Sequence, residues 1–336
     1  MFIYQGDYFY KYTLNTSKAK LNLIIDKDIS DSYRLQEISK KNGVRLLHCM
    51  NKNSNLYKLQ KNLLKRFLED IPLSEDCYGF VKGKSYFDFL NKHTYSDRSS
   101  RNFLKIDIKD FFQSVSSEEI KQSLSQYIKT ESVEVDKEIL NYINRIVTIN
   151  GVLPQGAVSS PTISNIVFRR IDIRFIKYCD KLNVKYSRYA DDILFSSESN
   201  IVLKAFFLNT ITKILRENNF EVNFLKVKKS SDEIRFNGYI IGKEVRLSRK
   251  KNALLNRVLY ICENEQLKKQ LLINLQKYNS GRDREFYSIE SVIKFLNGYR
   301  SFLINLLRIQ TNNIKRSKMK IQLKRIEKSA FELSKL

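Results

Sequence analysis

Histidine and cysteine are scarce in this chain of 336 residues: two histidines, His48 and His93, and four cysteines far from one another, Cys49, Cys77, Cys179 and Cys262. No C-x-x-C pair occurs, so the closely spaced ligands of a zinc site are missing, and the cysteines read as buried apolar residues in a reducing compartment. No apolar run approaches the ~20 residues a membrane helix requires. Nor does a charged, then apolar, stretch open the chain as a secretory signal would. A soluble, cytoplasmic protein is expected. Internal repeats and Gly/Ser linkers are absent as well. Glycine and proline number only ten and three, so a place where they gather is a place where the backbone is closely specified.

Positive charge, by contrast, is abundant. Sixty Lys and Arg against 36 Asp and Glu leave a formal net charge of +24. A field of that sign attracts polyanions at long range, nucleic acid most commonly; an anionic membrane surface or a gain in solubility are the other readings. The 42% hydrophobic content suffices for a packed core. Residues 245–336 alone carry 21 Lys or Arg against 7 Asp or Glu. Their apolar positions (Leu254, Leu255, Val258, Leu259, then Phe295, Leu296, Tyr299, Phe302, Leu303) have helical spacing, which predicts a small helical lobe with a basic face. Helical periodicity also runs over 56–69, 161–178, 202–217 and 251–276. Short β patterns occupy 103–108 and 184–196, and 234–247 reads as a hairpin punctuated by Gly238 and Gly242. Strands and helices without strict alternation predict an α+β fold.

Three segments carry chemistry. In SRYADDILFSS, Asp191 and Asp192 stand between two apolar arms, so a hairpin turn would lift both carboxylates to its tip; a plain turn is the bland alternative. In NFLKIDIKDFFQSV, Asp107 lies inside an apolar strand, where a carboxylate is costly unless paired or bound to a cation. Three such carboxylates brought together repel unless divalent ions neutralise them, and Mg²⁺ takes carboxylate and phosphate oxygens as ligands. In GVLPQGAVSSPTISN, four of the chain's thirteen glycines and prolines fall within 151–161. There Gly156, Ala157, Ser159 and Ser160 leave room for close approach of a ligand, and Gln155 offers an amide.

In this order the segments resemble motifs A, B and C of the reverse transcriptases: Asp107 with its aromatics, LPQG at 153–156, and YADD at 189–192. The resemblance implies a right-hand polymerase fold with fingers at 1–101 and a palm at 102–243, its antiparallel sheet carrying the aspartates and a fingers insertion at about 117–150. A small, basic, helical thumb would take 244–336. It implies an RNA-directed DNA polymerase in which Asp107, Asp191 and Asp192, with the carbonyl of Ile108, ligate two Mg²⁺, Mn²⁺ being a substitute. ISKKNGVRLLH at 38–48 is similar to the segment whose Lys41 and Arg45 hold the incoming triphosphate. NFLKV at 223–227 points to Lys226 near the leaving pyrophosphate. Asp110 would lend its backbone to the triphosphate, and Gln155 and Gly156 would line the nucleotide. Phe112 matches the aromatic packed on the sugar's 2′ carbon; residue pattern alone does not choose it over Phe111. Tyr189 and Ala190 would meet the primer end, as would Asn237 and Gly238 in a hairpin, FNGYIIG, that grips the primer.

GFVKGKS at 79–85 mimics a phosphate-binding loop but is one residue short, with Tyr78 where the first glycine belongs. It resembles a segment found upstream of motif A in bacterial reverse transcriptases. With the chain's length, this makes it most like the retron enzymes, which copy a structured non-coding RNA and prime from a 2′-hydroxyl within it. Their partners would be that RNA, its DNA product, dNTPs and an effector protein of anti-phage defence. An abortive-infection type reverse transcriptase with untemplated or protein-primed synthesis is the alternative. A non-catalytic RNA-binding protein on a polymerase fold is a third. His93, alone among polar residues, reads as incidental rather than as a catalytic base.

Overall fold

The computed structural model describes residues 2–26, 32–40, 43–96, 99–279, 286–310 and 312–335; the side chains of 39, 40, 43–45, 278, 279 and 309 are outside that description. The chain divides into two compact units, Met1–His93 with Arg98–Asp232, and Thr94–Asp97 with Glu233–Leu336.

In the first unit, β1 (Tyr33–Lys40) and β2 (Gly43–Met50) pair as an antiparallel ribbon. The main sheet holds β3 (Asn102–Lys109), β4 (Lys185–Tyr189), β5 (Asp192–Ser197), β6 (Glu221–Val222) and β7 (Lys228–Ser231). Its order is β4-β5-β3-β6, with β7 also on β3, and every pairing is antiparallel. Strand β3 shows why the order holds. Its side chains alternate: Leu104, Ile106 and Ile108 enter the core, while Lys105 and Asp107 take the opposite face. Leu104 lies opposite Phe195 and Ile106 opposite Ile193, so apolar meets apolar across the strand pair.

Helix Ser160–Asp180 covers the core face, with Pro161 in its first turn, where the missing N–H costs nothing. Phe168 packs on Phe111 and Phe220, and Phe175 on Tyr186 and Phe195, with ring centroids 5.0–5.8 Å apart. Helix Ala205–Arg216 adds Phe207, Ile211, Ile214 and Leu215. Helices Ser117–Ser125 and Val133–Val147 follow β3; the first opens on a capping box in which Ser116 and Glu119 satisfy each other's backbone N–H.

In the second unit, 234–247 forms three strands rather than the single hairpin expected: β8 (Ile234–Phe236), β9 (Tyr239–Ile241) and β10 (Val245–Leu247). Each glycine marks a separate reversal, so the segment turns twice. At the first, Asn237 and Gly238 both hold positive φ, 46° and 83°, as a two-residue hairpin turn demands. Helices Arg249–Glu263, Glu265–Lys268, Leu271–Asn279, Ile289–Ile309 and Asn313–Leu333 complete the described part of the unit. No helix among the described residues is long and apolar enough to cross a membrane.

Candidate active site

The register of the main sheet brings two of the acidic residues together. Asp107 on β3 lies directly opposite Asp192 on β5, so their side chains share one face. Asp191 precedes β5 at the turn, and its carbonyl accepts the Ile108 N–H at 2.9 Å, locking the turn to β3. Ala190 reaches the turn in the left-handed region, φ 56°. The Asp191 carboxyl is raised above its ordinary value, first by burial and then by the charges of Asp192 and Asp107.

Lysines meet two of these groups. The Lys226 ammonium bridges both oxygens of Asp107, at 2.9 and 3.0 Å. Lys105, beside Asp107 on the same strand face, meets Asp192 at 3.0 Å. Among the described residues no three His, Cys, Asp or Glu side chains stand in the arrangement of a metal site. The donors fit a hard divalent cation in kind, being carboxylate oxygens whose mutual repulsion such an ion would relieve.

Arg188 supports the turn from the core face of β4. It is wholly buried, and so is its partner Asp172. Its Nε and Nη2 donate to the two Asp172 oxygens at 2.8 Å each, while Nη1 donates to Asn165 Oδ1 at 2.9 Å and to the Ala190 carbonyl at 3.2 Å. The guanidinium also lies 4.4 Å from the Phe168 ring centroid. Tyr186 donates to Asp172 at 2.6 Å. Every charge in this group has partners, which is the condition for burying it.

The two aromatics after Asp107 separate clearly. Phe111 is buried against Phe168 and Phe220, whereas Phe112 is only partly buried, so Phe112 is the one available to a ligand. Asp110 is exposed, at φ 45°. Tyr189 is half-buried and touches Tyr86 edge-on, with centroids 4.9 Å apart.

The loop around Gly156 is small for a reason the sequence reading did not see. A Cβ on Gly156 would come within 2.8 Å of the His48 carbonyl oxygen, and the Gln155 carbonyl accepts the His48 N–H at 2.8 Å. The close approach is to the backbone of β2. Ser159 and Ser160 are buried and spend their hydroxyls on Gln60 and the Pro154 carbonyl. Lys41 lies outside the described residues. Arg45 is described only in its backbone, paired with Ile38 in the ribbon. Asn237 and Gly238 belong to the second unit, where Lys251 donates to the Asn237 carbonyl at 2.7 Å.

In the 79–85 segment, Lys84 donates to the Cys77 carbonyl at 3.0 Å, and Ser85 caps helix Tyr86–Asn91. His93 is fully buried between the hydroxyls of Ser187 and Ser196, 2.7 Å from each, and burial holds its pKa well below the usual value. It clips β4 to β5. Lys105, Asn165, Asp172 and Arg188 were not anticipated. A charged residue in an apolar strand marks Lys105 and Arg188 by the same logic that marked Asp107.

The reverse transcriptase (RNA-dependent DNA polymerase) family model matches residues 38–241, which span all of these segments of the first unit. This chain belongs to the reverse transcriptase family. It is similar to the retron Ec73 reverse transcriptase of Escherichia coli, 31% identical over 197 residues, 56% of this chain and 61% of that one. The retron Mx65 reverse transcriptase of Myxococcus xanthus is 29% identical over 232 residues, 65% of this chain and 53% of that one. The chain thus spans between half and two thirds of these relatives' lengths. The retron Ec83 reverse transcriptase of E. coli is covered further, 25% identical over 305 residues, 88% of this chain and 86% of that one. Among solved structures, apo telomerase from Candida tropicalis aligns with a TM-score of 0.50 at 14% identity, over 90% of this chain and 56% of that one. The fold is the expected α+β polymerase fold.

Proposed function

We propose that this reverse transcriptase is an RNA-directed DNA polymerase of the retron type. It would copy a structured non-coding RNA, in the cytoplasm, into single-stranded DNA joined to that RNA. The single observation carrying the reading is the cross-strand pair of Asp107 and Asp192 with Asp191 at the adjoining turn. Retron enzymes among the relatives favour the subtype. Residues 1–101 would act as fingers, 102–243 as palm with an insertion at about 117–150, and 244–336 as the basic thumb. The product would engage an effector protein in anti-phage defence.

Asp107, Asp191, Asp192 and the Ile108 carbonyl would hold two Mg²⁺. Such ions supply charge neutralisation at the triphosphate and a more acidic primer hydroxyl. The chain's own groups do the rest. The Ile108 N–H bond to Asp191 fixes the turn against β3. Lys226, exposed on one side, would leave Asp107 and neutralise charge developing on the pyrophosphate. Phe112 would pack on the nucleotide sugar and exclude a 2′-hydroxyl. Lys41, Arg45, Asp110, Gln155 and Gly156 would surround the triphosphate and base, and Tyr189, Ala190, Asn237 and Gly238 the primer strand.

The test is to purify the protein with its bound RNA and supply Mg²⁺ and labelled dNTPs. DNA complementary to that RNA and covalently joined to it supports the reading. A homopolymeric or random product, or none from RNA-loaded protein, overturns it.

A further inference from the structure

Nine non-glycine residues among those described hold positive φ, and seven of them are Asn or Asp, which tolerate it best. The two exceptions are Ala190, in the acidic turn, and Phe80, at 56° and 60°. These two are neighbours. A Cβ on Gly79 would lie 2.4 Å from the Ala190 nitrogen, so the backbone just before Phe80 is pressed onto the turn.

Phenylalanine is poorly suited to a left-handed position, and burial would be the ordinary reason to keep one there. Phe80 is 50% exposed. The strain acts against stability, and a ring left half in water recovers too little of it, so burial does not account for the residue. The strain is held in place from below. Asn165 Nδ2 donates to the Gly79 carbonyl at 2.7 Å, the Tyr78 N–H donates to the Arg188 carbonyl at 2.8 Å, and Arg188 grips Asn165 in turn at 2.9 Å. The fully buried pair of Arg188 and Asp172 thereby fixes both exceptional residues. The ring is presented 6.3 Å from Tyr189 and 6.4 Å from Phe112, centroid to centroid.

We propose that Phe80 is a primer-contacting residue, its ring packing on the sugar of the 3′-terminal nucleotide of the growing strand. This rests on reading the acidic turn as the polymerase centre. Phe80 stands between Phe112, assigned above to the incoming sugar, and Tyr189, assigned to the primer end. A ring without polar atoms matches the uncharged carbon face of a sugar, not a phosphate or a metal.

Binding of a fluorescent DNA primer annealed to an RNA template is measured by anisotropy, with Phe80→Ala and Phe80→Gly each placed on a D191A/D192A background so that turnover plays no part. Both should weaken binding about fivefold to tenfold. An RNA–DNA duplex of equal length, its 3′ end buried in a hairpin loop, should bind as before. The unfolding midpoint of Phe80→Gly should be unchanged or about 2 °C higher, because glycine relieves the strain. Binding within twofold of the parent overturns the proposal. So does equal weakening toward the blocked duplex, or a midpoint about 4 °C lower alongside the weakened binding, which would make the ring structural. Synthesis surviving in D191A/D192A alone would instead sink the reading of the turn and leave the binding result standing.

Discussion

On the core face of the main sheet, Asp172 meets Arg188 with both side chains fully buried; on the opposite face, Asp107 meets Lys226, whose side chain is 54% exposed. Both are an aspartate held by a cation, attached to the same sheet. Beyond the bonds the two ions make to each other, the buried pair is engaged by Tyr186, Asn165, the Ala190 carbonyl and the Cys77 sulfur, so neither ion can leave without stranding the other. The open pair has one ion that water reaches, and when it moves the buried Asp107 calls for another cation in its place. A closed pair fixes shape, while an open pair can exchange its cation during a reaction. The turn between them, with Ala190 tied to one side and Asp191 to the other, is where fixed shape is converted into chemistry.

That contrast can be broken. Replacing both turn acids, Asp191→Ala with Asp192→Ala, should reduce DNA synthesis by at least about ten-thousandfold, some 5 kcal/mol of transition-state stabilisation, with RNA binding retained. Incorporation within tenfold of the parent would show that the open face is not catalytic. Arg188→Met should destabilise the first unit by about 3–5 kcal/mol in urea unfolding, because it leaves Asp172 buried and unpaired. A loss below about 1 kcal/mol would mean the closed pair is dispensable to shape. Lys226→Ala should cost the fold less than Arg188→Met does, because the ammonium is half-exposed and its loss leaves one buried carboxylate near solvent. It should slow single-nucleotide incorporation by about tenfold to a hundredfold, roughly 1.4–2.7 kcal/mol. If it unfolds the protein instead, the open pair is structural too.

The smallest effect sharpens the picture on the open face. His93 is held neutral by burial, with Lys92, Lys185 and Arg101 adding to the shift. Its folded pKa lies below its ordinary value of 6.5, so the unfolded chain binds the extra proton first. Stability is therefore fully present above that value and falls as pH drops beneath it, by about 1.4 kcal/mol per pH unit for one proton. Midpoints measured between pH 7.5 and 5 should show this slope, and His93→Gln should flatten it. A slope unchanged by the substitution would assign the pH dependence to carboxylates.

Much of the site was legible in the chain. Asp107 betrayed itself as a charge in an apolar strand, and Asp191 with Asp192 as neighbours between two β arms; both are local patterns. Phe112 could not be separated from Phe111, because alternation alone does not say which ring meets Phe168 and Phe220. Gly156 and Ser160 looked like room for a ligand, yet the neighbours they serve are His48 and Pro154. His93 was read as incidental, and its two serine partners lie 94 and 103 residues away.

The sequence by itself determined the strands at 103–108 and 184–196, several of the helices and the acidic motifs, because hydrophobic periodicity and isolated charges act within a few residues. Only the tertiary structure decided which cation answers which aspartate. Lys226 reaches Asp107 across 119 residues through the register of the sheet, and Arg188 reaches Asp172 only once a helix packs on that sheet's core face. Register and packing come from the whole core closing at once, and no short stretch of chain contains that information.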